Sequence, residues 1–438
     1  MSAPQLAPAA DAPRRKRLGQ WYTPPSLVDH LVDHVADHLV DRLGRAESGS
    51  DSRPRSVLDP ACGDGRFLLA ARRAFGTEAR LVGVDIDPHA VDAARRAVPG
   101  ADIRLGDALS MDVGERFDVV IGNPPFVNQL ATATTRGGRS RFGGGPYADV
   151  AAEFLALAAR LVVPDGGVVA LVLPQSLLTS RDAGAIRRDV ARRLTLTHAW
   201  SAEELLFDAH VHVCALVLTA GAPRHPVTRT FGSTFVPGSS VDPGELWGRL
   251  LITEPPDVPS SETGTATTLG DLARFAVDFR DQYYGLVGAV ADDVDGPPLV
   301  TSGLIDPGVC HWGTRPVRFA KQTFAAPRVD LDRIEPKLQR WARQRLVPKI
   351  LIANQTKTVE AVIDRDGRLL PSVPVITCVP RQIGDLDAVW AALSSPSTAA
   401  WVRERAAGSG LSPRVVRLTP SLLAAAPWPT GVTRTGAS

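Results

Sequence analysis

The sequence predicts an α/β protein in which a mostly parallel, doubly wound sheet is followed by a second, mixed α/β domain. Three observations carry this expectation. Short apolar runs alternate with helical stretches between Ser56 and Thr219, the rhythm of strand–helix–strand units. Several of these runs stop at Asp or Gly, where a chain leaving a strand must turn. From about residue 220, Pro, Gly, Ser and Thr break the apolar runs into short irregular pieces. Of the 438 residues 44% are hydrophobic and 22% charged, enough for packed cores, so a chain disordered throughout is excluded. No run reaches the roughly 20 apolar residues of a membrane helix. The N-terminus is Ala/Pro-rich and then basic (Arg14, Arg15, Lys16, Arg17), with no apolar block behind it. That is not the order of a secretory signal. Cys62, Cys214, Cys310 and Cys378 stand far apart without a CxxC pair. Neither a metal site nor a disulfide framework is expected, and the cytoplasm is the expected compartment.

Residues 1–17 read as a disordered leader, 18–225 as a first domain, 226–265 as a linker or transition, and 266–438 as a second domain. Thr23-Pro24-Pro25-Ser26 starts a helix, with proline admitted in the first turn. Leu27, Val28, Leu31, Val32, Val35 and Leu39 recur behind it at helical spacing. His30, His34 and His38 fall at i, i+4 and i+8; without a carboxylate partner they read as a polar helix face rather than a metal ladder. Strands are expected at 56–58, 81–84, 117–122, 168–173 and 211–219, and helices at 66–75, 88–97 and 147–162.

Chemistry gathers at the ends of the early strands. Asp59-Pro60-Ala61-Cys62-Gly63-Asp64-Gly65 leads from strand to helix, and its glycines permit a tight turn that a ligand can approach closely. The turn lacks the third glycine of a dinucleotide site and the Lys-Ser/Thr pair of a P-loop, which disfavours a pyrophosphate ligand. Asp85, twenty residues beyond Gly65, ends the next strand ahead of Ile86, where an acid accepts from ribose hydroxyls. Asp107-Ala108 follows the run Ile103–Leu105, where a carboxylate can accept from an adenine amine. Together they describe a nucleoside-bearing ligand without phosphates, which S-adenosylmethionine fits. Asn123-Pro124-Pro125-Phe126 follows the strand ending at Gly122. The prolines hold the Asn123 side-chain oxygen and the Pro124 carbonyl toward one point, so that both can accept from one amino group. Phe126 offers a flat face to a planar base.

Asn-Pro-Pro-Phe after such a glycine turn resembles the N6-adenine DNA methyltransferases. Gln20-Trp21-Tyr22-Thr23-Pro24-Pro25 precedes the turn and a long region follows the core, an order similar to the gamma class and its TaqI-like enzymes. The resemblance covers roughly residues 18–220. It continues loosely where Leu269-Gly270-Asp271-Leu272 and Lys349–Ala353 look like parts of a target-recognition domain. It implies a class I, Rossmann-like methyltransferase core and a mixed α/β target-recognition domain. It also implies site-specific methyl transfer from S-adenosylmethionine to N6 of an adenine flipped out of double-stranded DNA. Asn123, Pro124, Pro125 and Phe126 would be catalytic, with Phe207 against the other face of the base. Thr23, Asp59, Pro60, Ala61, Gly63, Gly65, Asp85, Ile86, Asp107, Ala108 and Asn123 would line the cofactor. A separately encoded restriction endonuclease is the implied companion, and a monomer the implied state. The alternative is an amide or small-molecule N-methyltransferase, since glutamine methyltransferases share Asn-Pro-Pro-aromatic; those lack a long basic C-terminal region.

That region is visible in the charge. Between residues 310 and 360 eleven Lys/Arg face four acids, a window of +7; the chain's +2 therefore leaves −5 elsewhere. A polyanion is the expected partner of the stretch Arg328–Lys349. The segment Val127–Gly145, with Arg136, Arg139 and Arg141, is expected to be a mobile loop able to hold a phosphate backbone.

Overall fold

The structure, a computed structural model, describes residues 22–43, 54–112, 114–126, 140–206, 211–253, 267–278, 280–410 and 415–433. The expected leader and most of the loop after Phe126 lie outside them. The chain forms two compact units, residues 1–254 and 255–438. None of the described helices is long and apolar enough to cross a membrane.

The first unit is built on nine strands: β1 (Ser56–Asp59), β2 (Arg80–Asp85), β3 (Asp102–Leu105), β4 (Val119–Gly122), β5 (Val168–Pro174), β6 (Leu194–Ser201), β7 (Val213–Ala220), β8 (Val227–Phe231) and β9 (Val236–Val241). Their order is β3-β2-β1-β4-β5-β7-β6-β8-β9. The pairs β2–β3, β1–β2, β1–β4, β4–β5 and β6–β8 are parallel, whereas β7 runs antiparallel between β5 and β6. Alternation sends side chains to two faces. Leu58, Val84, Val120 and Leu171 pack on one side with α4 (Val150–Leu161) and α5 (Gly184–Arg193). Val57, Leu81, Ile121 and Ala170 pack on the other with α1 (Pro25–Leu43), α2 (Arg66–Phe75) and α3 (Pro88–Ala97). Both faces are covered, so the early strands are apolar throughout rather than alternating. The local signals explain the helix starts. Asp87 accepts from the His89 amide with Pro88 at the first position of α3, and Asp149 accepts from the Ala151 amide at the start of α4.

The expected linker at 226–265 needs correcting, because β8 and β9 extend the sheet through it. Val227-Thr228-Arg229-Thr230-Phe231 alternates buried and more open positions, the pattern of a strand with one covered face. Its central Arg229 is 2% exposed, yet its guanidinium donates to the carbonyls of Ser239, Arg249 and Ile252 and to the Ser239 hydroxyl. Four acceptors make that buried charge tolerable. The histidines of α1 form no metal group; none exists among the described residues. His30 stacks on Phe235 and the His34 ring lies 3.9 Å from that of His198, half-buried contacts that fasten α1 to the far strands.

The second unit holds a four-stranded antiparallel sheet in the order Ala273–Val277, Ile376–Pro380, Lys349–Ile352, Ala361–Asp364. Ile350, Ile352, Ile376 and Cys378 pack against the helices Leu386–Leu393 and Pro396–Ala406, and Leu351 and Val362 against Val300 and Leu304. Leu269–Leu272 is a helical turn closed by a capping box between Thr268 and Asp271.

Candidate active site

The parallel strands β1, β2, β3 and β4 bring Asp59, Asp85, Asp107 and Asn123 to one edge of the sheet, the carboxyl edge where α/β proteins bind ligands. Hydrogen bonds tie these ends together. The Gly63 amide donates to Asp85 Oδ2 at 2.8 Å, and the Asp87 amide to Asp85 Oδ1 at 2.9 Å. The Cys62 amide donates to the Val84 carbonyl, and the Gly106 amide to the Asp85 carbonyl. Asp107 Oδ1 accepts from the Leu109 amide at 3.0 Å and Oδ2 from the Ser110 hydroxyl at 2.6 Å.

Glycine is required at two places here. Gly65 has φ of +84°, and a Cβ on it would stand 3.1 Å from the backbone of Ala94, so α2 and α3 could not approach as they do. Gly122 has no room either, since a Cβ there would collide with Asp59 Oδ1. The carboxyl of Asp59 therefore rests on the backbone immediately before Asn123. Gly63 is the opposite case: nothing stands within 4 Å of where its Cβ would be, which leaves an open cradle at the turn.

The electrostatics suit a cationic nucleoside. Burial pushes the Asp59 carboxyl up to about 8, with the charges of Asp85 and Asp64 adding to it and the Ala61 amide opposing. Burial likewise raises Asp85, while the amides of Asp87 and Gly63 hold it down. A positive ligand group beside these carboxyls would favour their charged forms. Burial pushes the Cys62 thiol far up as well; this inert residue, 4% exposed, is a packing element.

The remaining predicted residues fall as follows. Thr23 is 2% exposed, and its carbonyl accepts from Arg66 Nη1 at 2.6 Å. Arg66 pairs with Asp64 in the glycine turn and lies 4.7 Å from the Tyr22 ring centre, so it clasps the N-terminal segment to the turn. Sequence reading misses that clasp, for nothing distinguishes Arg66 from any first-turn arginine. Pro60 and Pro124 are buried, while Ala61, Asn123 and Pro125 are partly open. Phe126 packs against both cores. Ile86 is 61% exposed at the same edge, an apolar surface available to a base. Ala108, expected to line the adenine, is 2% exposed and belongs to the core beneath Asp107. Phe207 and Trp21 lie outside the described residues. A cavity of about 510 Å³ opens where β6 begins, at the opposite edge, lined by Arg188, Arg224 and Trp247; it holds none of these residues.

Comparison with known proteins adds the family. The chain is 31% identical over 255 residues to the type II methyltransferase M.TthHB8I of Thermus thermophilus, covering 53% of this chain and 52% of that one. It is 31% identical over 140 residues to the type II methyltransferase M.CvrRI of Paramecium bursaria Chlorella virus XZ-6E, covering 31% and 34% respectively. The chain thus spans about half or less of the length of these curated relatives. Among solved structures, the type IIL restriction-modification enzyme MmeI in complex with DNA shares the fold at 14% identity and a TM-score of 0.58, across 95% of this chain and 69% of that one. The N-6 DNA methylase family model matches residues 9–232, and the chain belongs to that family.

Proposed function

We propose that the chain is a DNA methyltransferase that transfers a methyl group from S-adenosylmethionine to N6 of an adenine turned out of the duplex. The observation that carries this is the placement of Asn123-Pro124-Pro125-Phe126 at the end of β4, against Asp59 and at the edge that also gathers Asp85 and Asp107. S-adenosylmethionine supplies an activated methyl group when bound. Asp85 and the open turn at Gly63 would hold its ribose and methionine parts, Asp107 and Ile86 its adenine, with Asp59 and Thr23 closing the methionine end. The Asn123 oxygen and the Pro124 carbonyl would accept the two amine protons of the target base. That pairing fixes the nitrogen and keeps its lone pair directed at the methyl carbon; once the N–C bond has formed, one of the two amine protons would pass along these acceptors to water. Phe126 would stack on the base, offsetting part of the few kcal/mol spent on unstacking it. No thiol or metal is needed, because the nucleophile is the substrate's own nitrogen. A separately encoded restriction endonuclease and monomeric action belong to the same reading.

A labelled-methyl assay on duplex DNA, RNA and protein tests it directly, with N6-methyladenine in DNA as the expected product. Label entering only protein or a small molecule would favour an amide or metabolite enzyme instead. In the cofactor site, Asp85→Ala is expected to weaken S-adenosylmethionine by about 1–3 kcal/mol, since the ribose loses an acceptor and the Gly63 turn its anchor. Calorimetry returning wild-type affinity would move the pocket elsewhere.

We assign the second unit to target recognition, with a narrower basic surface than its composition suggests. Arg345 pairs with the buried Asp278 at 2.6 Å, Lys349 is fully buried, and Arg315 pairs with Asp306. Arg333, Lys337, Arg340 and Arg343 remain exposed on and just before the helix α6 (Pro336–Arg345). Neutralising Lys337, Arg340 and Arg343 should flatten the log–log salt dependence of DNA binding by about 0.9 for each phosphate these side chains neutralise. Fluorescence anisotropy at three salt concentrations reads this; an unchanged slope would leave that face merely solvated.

A further inference from the structure

Arg141, whose place in the sequence suggests a phosphate ligand, is exposed but reaches back to the 107–110 turn. Its Nη1 donates to the carbonyl of Leu109, whose own amide donates to Asp107 Oδ1. The backbone that presents Arg141 is held by Glu153, in the first turn of α4 and 5% exposed. Glu153 accepts from the Arg141 amide at 2.9 Å through Oε2 and from the Ser140 hydroxyl through Oε1. Ser140 Oγ in turn accepts from the Gly144 amide at 2.6 Å and the Phe142 amide at 3.3 Å. The Gly145 amide donates to the Asp182 carbonyl, and the Arg160 guanidinium lies 4.5 Å from the Phe142 ring centre. Residues 140–145 thus have no regular element, yet one buried carboxylate organises their donors. Burying a carboxylate is costly without such bonds, so the Glu153 contacts fix the segment's shape.

We propose that Glu153 and Arg141 are positioning residues for the adenosine end of the cofactor pocket, an inference that rests on the methyltransferase reading above. Asp107 spends one lone pair of each carboxylate oxygen on Leu109 and Ser110, and the remaining pairs are available to a ligand. Their direction depends on the 107–110 turn staying closed. Arg141 clamps the outer carbonyl of that turn, and Glu153 sets where Arg141 stands. The segment that follows the Asn123-Pro-Pro-Phe loop in sequence thereby braces the acceptor for the cofactor's base.

Calorimetry with S-adenosylmethionine and with 5′-methylthioadenosine, which lacks the amino-acid tail, tests the relay. Arg141→Ala and Glu153→Ala should each weaken both ligands by about tenfold, equally for the two, because the effect sits at the adenosine end. Turnover at saturating cofactor should stay within about twofold of wild type, so the loss appears in KM rather than kcat. Glu153→Gln, whose carbonyl oxygen can still accept from the Arg141 amide, should recover most of the affinity. Thermal unfolding of the ligand-free Arg141→Ala protein should match wild type, which separates positioning from a general loss of stability. Native affinity in both alanine variants, or a loss confined to S-adenosylmethionine, overturns the relay. A wild-type protein that binds no S-adenosylmethionine overturns the methyltransferase reading itself.

Discussion

Asn123→Ala should lower methyl transfer to adenine by about 10²–10³-fold, the scale seen when one preorganised polar contact to a reacting group is removed. Cofactor affinity should stay near wild type, because the Gly63 turn and Asp85 are anchored to each other and not through the Asn123 side chain. The two effects separate cleanly in single-turnover kinetics with cofactor binding measured alongside. The base would still stack on Phe126, but with one acceptor gone its amine would be held by the Pro124 carbonyl alone. Asn123→Asp is the informative companion. It keeps an oxygen acceptor and replaces an amide with a charge, so it should retain more activity than alanine. Equal rates for wild type and Asn123→Ala would remove the chemistry from this loop altogether.

In the second unit the largest expected effect is on stability. Lys349 is 0% exposed within an interior strand of its sheet, and its ammonium pairs with Asp364 across the neighbouring strand. Burial depresses the lysine, and the Asp364 carboxylate counters that by favouring the charged form. Asp364 also accepts from the amides of Arg368 and Leu369 at 3.0 and 2.9 Å, so it shapes the turn after its own strand. Lys349→Met should therefore cost about 3–5 kcal/mol, the range for stranding one partner of a buried pair. Five of the eight tryptophans lie beyond residue 255, so urea unfolding followed by fluorescence reports this unit strongly. S-adenosylmethionine affinity serves as the control and should not move. A loss below about 1 kcal/mol would mean that the interior relaxes or admits water around the carboxylate.

Much of the first unit is legible in the chain because its signals are local. A strand buried on both faces is a plain apolar run, and the turns after β1 and β4 carry residues whose geometry is specific to them. Helix boundaries at Arg66–Phe75 and Pro88–Ala97 follow from a glycine turn and an Asp-Pro start. What escapes is set by partners distant in sequence. The arginine-rich α5 and the following β6, Leu194-Thr195-Leu196-Thr197-His198, offer no turn signal between them, and β6 finds its place only beside β7 and β8. Residues 227–241 read as a linker because their polarity counts against a strand until the carbonyls that receive Arg229 are known. Summing the charge of residues 310–360 overstates the cationic surface for the same reason. Arg345 and Lys349 meet acids at Asp278 and Asp364, which a linear reading cannot pair with them. In the candidate site the acids and the Asn-Pro-Pro-Phe loop are legible, whereas the hydrogen bonds of Arg66, Glu153 and Arg141 are folded contacts that leave no pattern in the chain.

The close approach of Gly122 and Asp59 bears on how such a protein can diversify. Because any side chain at position 122 would run into a carboxyl oxygen, a substitution there must displace the Asp59 side chain. Removing the obstruction means giving up Asp59 first, and with it the acid expected at the methionine end. A change at the junction of the two strands is thereby coupled to Asp59. A descendant that takes a different base or a bulkier amine would have to acquire it at Phe126 or in the second unit, leaving the junction of the two strands as inherited.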